Sequence, residues 1–206
     1  SNETDLTNAT YTAGASESGS ITLTLTTSGG SCGNTSGTKN ITVNANPTAS
    51  ASTSTGTVCE DATISLTGVA SGGSGGGYGY SWSGPSSYSS GAQSPTISED
   101  ATTAMAGSYL LTVTDGNTCS SSSSSTSITV NQNPTVTVGG SLSAICQSGT
   151  SSAMLSSVGG GATGGTWSGG AGSWSNETDL TNATYTAGAS ESGSITLTLT
   201  TSGGSC

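Results

Sequence analysis

Apolar residues spaced two apart, with threonine or serine between them, run through most of this chain. Ile21, Leu23 and Leu25 alternate with Thr22 and Thr24, and the pairs Ile41/Val43, Ile64/Leu66, Leu111/Val113, Ile128/Val130 and Val136/Val138 repeat the arrangement. Successive side chains of a strand point to opposite faces, so a period of two with threonine outward marks a half-buried β-strand. No stretch carries a helical period. Strands are expected near 48–52, 63–67, 109–114 and 127–130, with Tyr78, Tyr80 and Trp82 alternating on another and a short one centred on Ile97. Residues 72–77 and 120–125 read as loops. The same alternation argues against disorder, the bland reading of a chain rich in Gly, Ser and Thr.

The chain is internally repetitive. Residues 1–32 return letter for letter as 175–206, an offset of 174 that shared composition cannot produce. A hidden half-period lies inside it: Asn46-Pro47 and Asn133-Pro134 are 87 residues apart, and so are Cys59 and Cys146, and Cys119 and Cys206. The unit is therefore two related domains of 87 residues, A and B. On this division residues 1–46 are the C-terminal part of a B repeat, 47–133 a complete A repeat, and 134–206 a B repeat lacking its last strand, the one seen near Lys39. An unpaired sheet edge of that kind invites strand addition.

Cysteine spacing extends the pattern. Cys59 and Cys119 in A stand as far apart as Cys146 and Cys206 in B, so the expected bridges join the members of each pair. Cys32 belongs to a B repeat whose first cysteine precedes the sequence. Closing such a loop would stabilise a domain by roughly 4 kcal/mol in the chain-entropy model. Such bridges need an oxidising compartment, and an exported, extracellular chain is expected.

Composition narrows the function. Charged residues are 6% and aromatic ones 4%, with no Phe, no His, and Lys39 as the single cation. A formal charge of −10 leaves nothing to neutralise phosphates, which excludes nucleic acid as a partner and argues against anionic lipid. No apolar run is long enough to span a bilayer. Solubility must rest on Ser, Thr, Asn and Gly, with attached sugar as a further source of hydration.

Short strands separated by Gly- or Ser-rich turns in 87 residues favour a two-sheet sandwich. Cys59-Glu60-Asp61-Ala62-Thr63-Ile64-Ser65-Leu66, then Tyr80-Ser81-Trp82-Ser83-Gly84-Pro85, then Ala106-Gly107-Ser108-Tyr109 and the strand after it resemble the Ig-like, PKD-like tandem repeats of giant Bacteroidota cell-surface proteins, among them the gliding-motility adhesins. Gly165-Thr166-Trp167-Ser168-Gly169-Gly170 and Asn182-Ala183-Thr184-Tyr185-Thr186 resemble the sister repeat that alternates with it. The resemblance implies an all-β fold of tandem immunoglobulin-like sandwiches, secretion through the type IX system and a place on the cell surface. It also implies a tyrosine corner at Tyr109, which B lacks because Ile195 stands at the matching position.

Candidate chemistry is sparse. Nucleophilic catalysis needs a base, His is absent and Lys39 stands alone, so no enzyme and no cofactor are expected. Glu60-Asp61, Glu99-Asp100 and Asp115 could ligate Ca²⁺, yet B carries Gln147-Ser148 at the first position, which favours solvated loop charges. Lys39 could also cross-link to an Asn, although an edge-strand charge guarding against aggregation accounts for it. Sequons stand at Asn2, Asn8, Asn34, Asn40, Asn176 and Asn182, all in B. Trp82 and Trp167 fit sandwich cores, while Trp174, in a Gly-Ser loop, is the candidate for an exposed sugar-stacking ring or, alternatively, a lid over the sandwich end. Together these features predict a structural repeat of an exported, glycosylated filament or adhesin stalk, partnered by copies of itself. The alternative is a multivalent module binding a surface glycan or protein.

Overall fold

The alternating segments become strands in a computed structural model that describes residues 6–206. In chain order they are β1 (Gly19–Thr26), β2 (Ser36–Val43), β3 (Pro47–Thr53), β4 (Thr57–Cys59), β5 (Ile64–Gly72), β6 (Tyr78–Ser83), β7 (Ser89–Ser90), β8 (Thr96–Ser98), β9 (Gly107–Asp115), β10 (Ser124–Asn131), β11 (Thr135–Val138), β12 (Ser156–Gly159), β13 (Gly164–Ser168), β14 (Ser173–Ser175), β15 (Thr184–Thr186) and β16 (Thr198–Ser202). Among the described residues the only helices are two short 3₁₀ turns, Pro85–Ser87 and Thr103–Met105, and none is long or apolar enough to cross a membrane. Two compact units result. One holds the described residues up to Ser54 with Ser65–Ile97 and Ser108–Ser127; the other holds Thr55–Ile64, Ser98–Gly107 and Ile128–Cys206.

Residues 47–131 form two sheets, one ordered β3-β5-β8 and the other β4-β10-β9-β6-β7. This is the strand order of an immunoglobulin-like sandwich, with the first strand divided so that β3 joins one sheet and β4 the other. β4 runs parallel to the end of β10, pairing Thr57 with Thr129 and Cys59 with Asn131. Period-two burial is strict on β9, where Tyr109, Leu111, Val113 and Asp115 point inward and Leu110 outward. Trp82 opposes Leu111 across the β6–β9 ladder, and its indole Nε1–H donates to the Ala92 carbonyl at 3.1 Å. Gly68 on β5 lets the facing sheet close in: a Cβ there would stand 3.2 Å from the Trp82 ring and 2.8 Å from the Gln93 carbonyl.

The second unit packs Met154, Trp167, Ala183, Tyr185 and Ala187 into a core, with Trp174, Ile195, Leu197 and Leu199 against it. Trp167 opposes Leu199 on the β13–β16 ladder as Trp82 opposes Leu111 on the β6–β9 ladder. Asp61 and Ser148, 87 residues apart, both adopt positive φ, at 65° and 59°. Each sits in an equivalent turn, Ala62 N–H to Cys59 O in one and Gly149 N–H to Cys146 O in the other.

The duplicated segment appears in two settings. Around Tyr185 it is buried; Tyr11, the identical residue, is 39% exposed and borders a groove of about 1020 Å³ with Leu6, Leu23 and Leu25. The local bonding is nevertheless the same. Tyr11 donates to Glu17 at 2.5 Å and Tyr185 to Glu191 at 2.5 Å, and each carboxylate also accepts a backbone N–H, from Gly14 or Gly188, at 2.6 Å. That turn is determined locally, whereas its burial depends on what the rest of the chain supplies.

The cysteine pairing differs from expectation. Cys59 is bonded to Cys206, and Cys119, Cys146 and Cys32 are not bonded. The reason is topological. Cys59 lies beside Asn131 at the far end of β10, while Cys119 lies in the turn that precedes that strand. The length of that strand separates the two ends by about 24 Å, far beyond the roughly 4.4 to 6.8 Å that a disulfide spans between Cα atoms.

Candidate functional site

The stretch around Asn133-Pro134 reads in sequence only as the boundary between two repeats, yet its backbone is held from several sides. The parallel ladder between β4 and β10 ends with Glu60 N–H donating to Asn131 O at 2.9 Å. The left-handed turn at Asp61, a conformation that Asp tolerates better than most residues, then aims two carboxylates at the linker. Asn133 N–H donates to Glu60 Oε2 at 3.1 Å, and its side-chain amide donates to Glu60 O at 3.2 Å and Asp61 Oδ2 at 2.9 Å. These acids thus bind the chain itself, a role the sequence signalled only through an Asn-Pro step and an acidic pair lying far apart.

Glycines bring a second backbone against the first. A Cβ on Gly160 (φ +63°) would fall 1.9 Å from Asn133 O, and one on Gly161 would fall 2.8 Å from Gln132 O. Both the positive φ and the contact demand glycine at position 160. Gly204 lies against the Pro134 ring, where a Cβ would be 3.3 Å from its Cγ. The Cys59–Cys206 bond closes the assembly with a Cα–Cα distance of 5.8 Å and a sequence separation of 147. Ring closure of that length stabilises by about 5 kcal/mol in the chain-entropy model.

A comparable knot surrounds Asp115 next to Pro47. Its buried carboxylate accepts four backbone N–H groups, from Ser74 at 3.2 Å and from Gly75, Asn117 and Cys119 at 3.0 Å each. Burial alone would raise its pKa; the donors outweigh that, and the net shift is downward. Ala45 N–H donates to Ser74 Oγ at 2.7 Å in the same loop. Asp115-Gly116 is a recognisable turn signal, but its hold on the 72–77 loop is not local and could not be read from spacing.

In the second unit Glu191 accepts Ala171 N–H, the Tyr185 hydroxyl and Gly188 N–H, which together hold its pKa down. Tyr185 is shifted up, first by burial and then by that carboxylate. Asp179 accepts from the backbone N–H and hydroxyl of Thr181 and from the amides of Asn182, which lowers its pKa to about 2.

The remaining sequence candidates lie apart from one another. Trp82 and Trp167 are buried; Trp174 is half-buried, stacked on Trp167 at 6.1 Å and tilted against Tyr185 at 5.2 Å, with its Nε1–H donated to Gly169 O. A cavity of about 340 Å³ beside Ile195 and Leu197 is lined by Val138, Met154 and Trp167, whose buried Nε1–H has no partner. Asn8, Asn34, Asn40, Asn176 and Asn182 are all exposed, and Asn2 lies outside the described residues. The Asn182 amide is engaged by Asp179 and Thr181, and Asn40 Oδ1 accepts the Thr22 hydroxyl. Glu99 and Asp100 are exposed, and Lys39 is an exposed residue of β2 paired with Leu23.

No family model matches the chain, and no curated protein matches it. Solved structures that align with it include an amphioxus IgVJ-C2 molecule, 20% identical over 57% of this chain and 63% of that one, with a TM-score of 0.36. The N-terminal four Ig domains of Dscam1 isoform 7.44 align at 20% identity over 57% of this chain and 28% of that one, with a TM-score of 0.33. Three N-terminal domains of the bacteriophage RB49 outer capsid protein Hoc align at 16% identity over 75% and 58%, with a TM-score of 0.34. The chain spans less than two thirds of the length of each of these structures. Its immunoglobulin-like, all-β character rests on its own strand order and register.

Proposed function

We propose that the chain is a structural repeat of an exported, glycosylated cell-surface filament or adhesin stalk, of the kind found in gliding-motility adhesins. The observation that carries this reading is the letter-for-letter return of residues 1–32 at 175–206 on a half-period of 87. Repeat arrays present length and many copies of one surface, and seldom house a single reaction. The cystine fits an oxidising, extracytoplasmic setting. Exposed sequons and threonine rows offer sites for sugar, and the reading calls for no cofactor. The alternative, a multivalent glycan- or protein-binding module, would draw on Trp174, which is half-buried and stacked on Trp167.

Negative-stain imaging of chains carrying increasing numbers of periods tests the reading. Unbranched fibres whose length grows in proportion to the period count are expected, with no retention on immobilised glycans. Particles whose length does not grow with copy number would overturn it.

A further inference from the structure

We infer that the Cys59–Cys206 bond is one member of a regular series in which the first cysteine of every repeat is bonded to the second cysteine of the repeat that follows. The inference rests on the array reading above. It does not depend on where the array is displayed, so a thiol count and fibre imaging can fail separately.

The observed bond joins cysteines of successive repeats, and its separation of 147 is one whole repeat plus the step from first to second cysteine within a repeat. Applied along the array, the same separation assigns every cysteine a partner. Cys146 takes the counterpart of Cys119 one period later, Cys119 the counterpart of Cys146 one period earlier, and Cys32 the counterpart of Cys59 one period earlier. The three unbonded cysteines are therefore those whose assigned partners belong to neighbouring periods.

Geometry supports the extension at both kinds of cysteine. Cys146 sits in the same turn as Cys59, with positive φ at Ser148 and Asp61 and the same closing hydrogen bond. Cys146 is exposed and so open to a partner. On the side of the second cysteine, Cys119 is linked through Asp115 to the neighbourhood of Pro47. Its N–H is held by Asp115, whose Oδ2 and the Pro47 ring both crowd Gly73, where a Cβ would lie 2.8 Å and 3.4 Å from them. In strand terms, the first cysteine lies where β10 ends and the second lies before β10 begins, so a bond within one repeat must bridge the length of a strand while a bond to the next repeat need not. Each bond converts two thiols to one cystine, and the two electrons and two protons pass to an external small-molecule disulfide, which leaves as two thiols.

The test extends the chain by its own period: residues 1–206 followed by a second copy of residues 33–206, which preserves the natural Cys-Gly junction and carries nine cysteines. After oxidation by a glutathione redox pair, the denatured protein is titrated for thiols and its linked peptides are mapped. Three thiols are expected, with the peptide of Cys146 joined to that of the second Cys119, and Cys146→Ser should raise the count to four, because the second Cys119 then loses its partner and remains a thiol. A single thiol, with Cys59 joined to Cys119, would overturn the inference. Five thiols would overturn it equally, since Cys59–Cys206 bonds would then form without their counterparts at Cys146.

Discussion

Gly84 offers a sharp test of how tightly the A sandwich is packed. It lies between β6 and the Pro85–Ser87 turn with φ −170°, an extended conformation open to any residue, so backbone strain does not demand glycine there. Space does. A Cβ at this position would stand 2.3 and 2.5 Å from Cδ1 and Cε1 of Tyr109, well inside ordinary contact, and Tyr109 is fully buried with Tyr88 edge-on at 5.6 Å. Overpacking of a well-filled core costs about 1–3 kcal/mol, and an overlap against an immobile ring belongs at the upper end, about 3 kcal/mol. For a domain of this size that lowers Tm by roughly 12–24 °C. Removing the ring is costly by itself, about 3–5 kcal/mol for Tyr109→Ala. In that background the Gly84→Ala methyl enters the cavity, so its cost should vanish. Urea melts of the parent, both single variants and the double variant, followed by tryptophan fluorescence and far-UV circular dichroism, yield the coupling energy. A Gly84→Ala loss below about 0.5 kcal/mol, or an equal loss with and without the Tyr109 ring, would refute the steric argument.

Other consequences can be measured on the same material. Asp115 has a depressed pKa when folded, so its contribution is present above the ordinary carboxylate range and fades as pH falls through the folded value. Asp115→Asn should therefore lower the urea midpoint at neutral pH, with the gap to the parent narrowing as pH falls below the ordinary carboxylate range; a gap independent of pH would contradict this. Tyr185, shifted upward, loses its stabilising role only as pH rises through its folded value, and Glu191, shifted downward, loses its own on the acid side. Tyrosinate absorbance should accordingly show Tyr185 ionising above the ordinary tyrosine range, and Glu191→Gln should bring it earlier. Trp174→Ala should destabilise the second unit by about 2–4 kcal/mol, seen as loss of near-UV circular dichroism, because it strips the stack from Trp167. A peptide of residues 36–43 should dock beside Ile195 and Leu197 and change Trp167 fluorescence, since the identical residues Ile21 and Leu23 pair with Ile41 and Lys39 in the β1–β2 ladder.

The alternation of apolar residues made the long strands legible, because burial on one face leaves a period-two trace. β9 and β6 follow the sequence reading closely, and Trp82 falls in the core as its position on the third strand implied. Short pieces without such a trace were invisible. β4 spans only Thr57–Cys59 and pairs in parallel with a strand far along the chain, so nothing local marks it. That one ladder decides the end of the sandwich at which Cys59 emerges, and without it equal spacing within each repeat made Cys119 the natural partner. The linker hold was hidden for a related reason: Asn133, Glu60 and Gly160 are far apart in sequence, and a single hydrogen-bonding acid looks like any solvated charge until its donor is known.

The Cys59–Cys206 linkage also bears on how such an array behaves under tension. The stretch from Cys119 to Cys146 is short, and the one from Cys32 to Cys59 equals it. With cystines in the inferred register, a covalent route along the array bypasses a segment of separation 147 at each bond and then runs through just one of these short stretches before the next bond. Unravelled completely, one full period would then stretch to about 100 Å, against about 600 Å for the reduced chain at roughly 3.5 Å per residue. A tether of this kind would reach its inextensible limit early, and load would pass to sulfur and backbone bonds before most of the polypeptide could pay out.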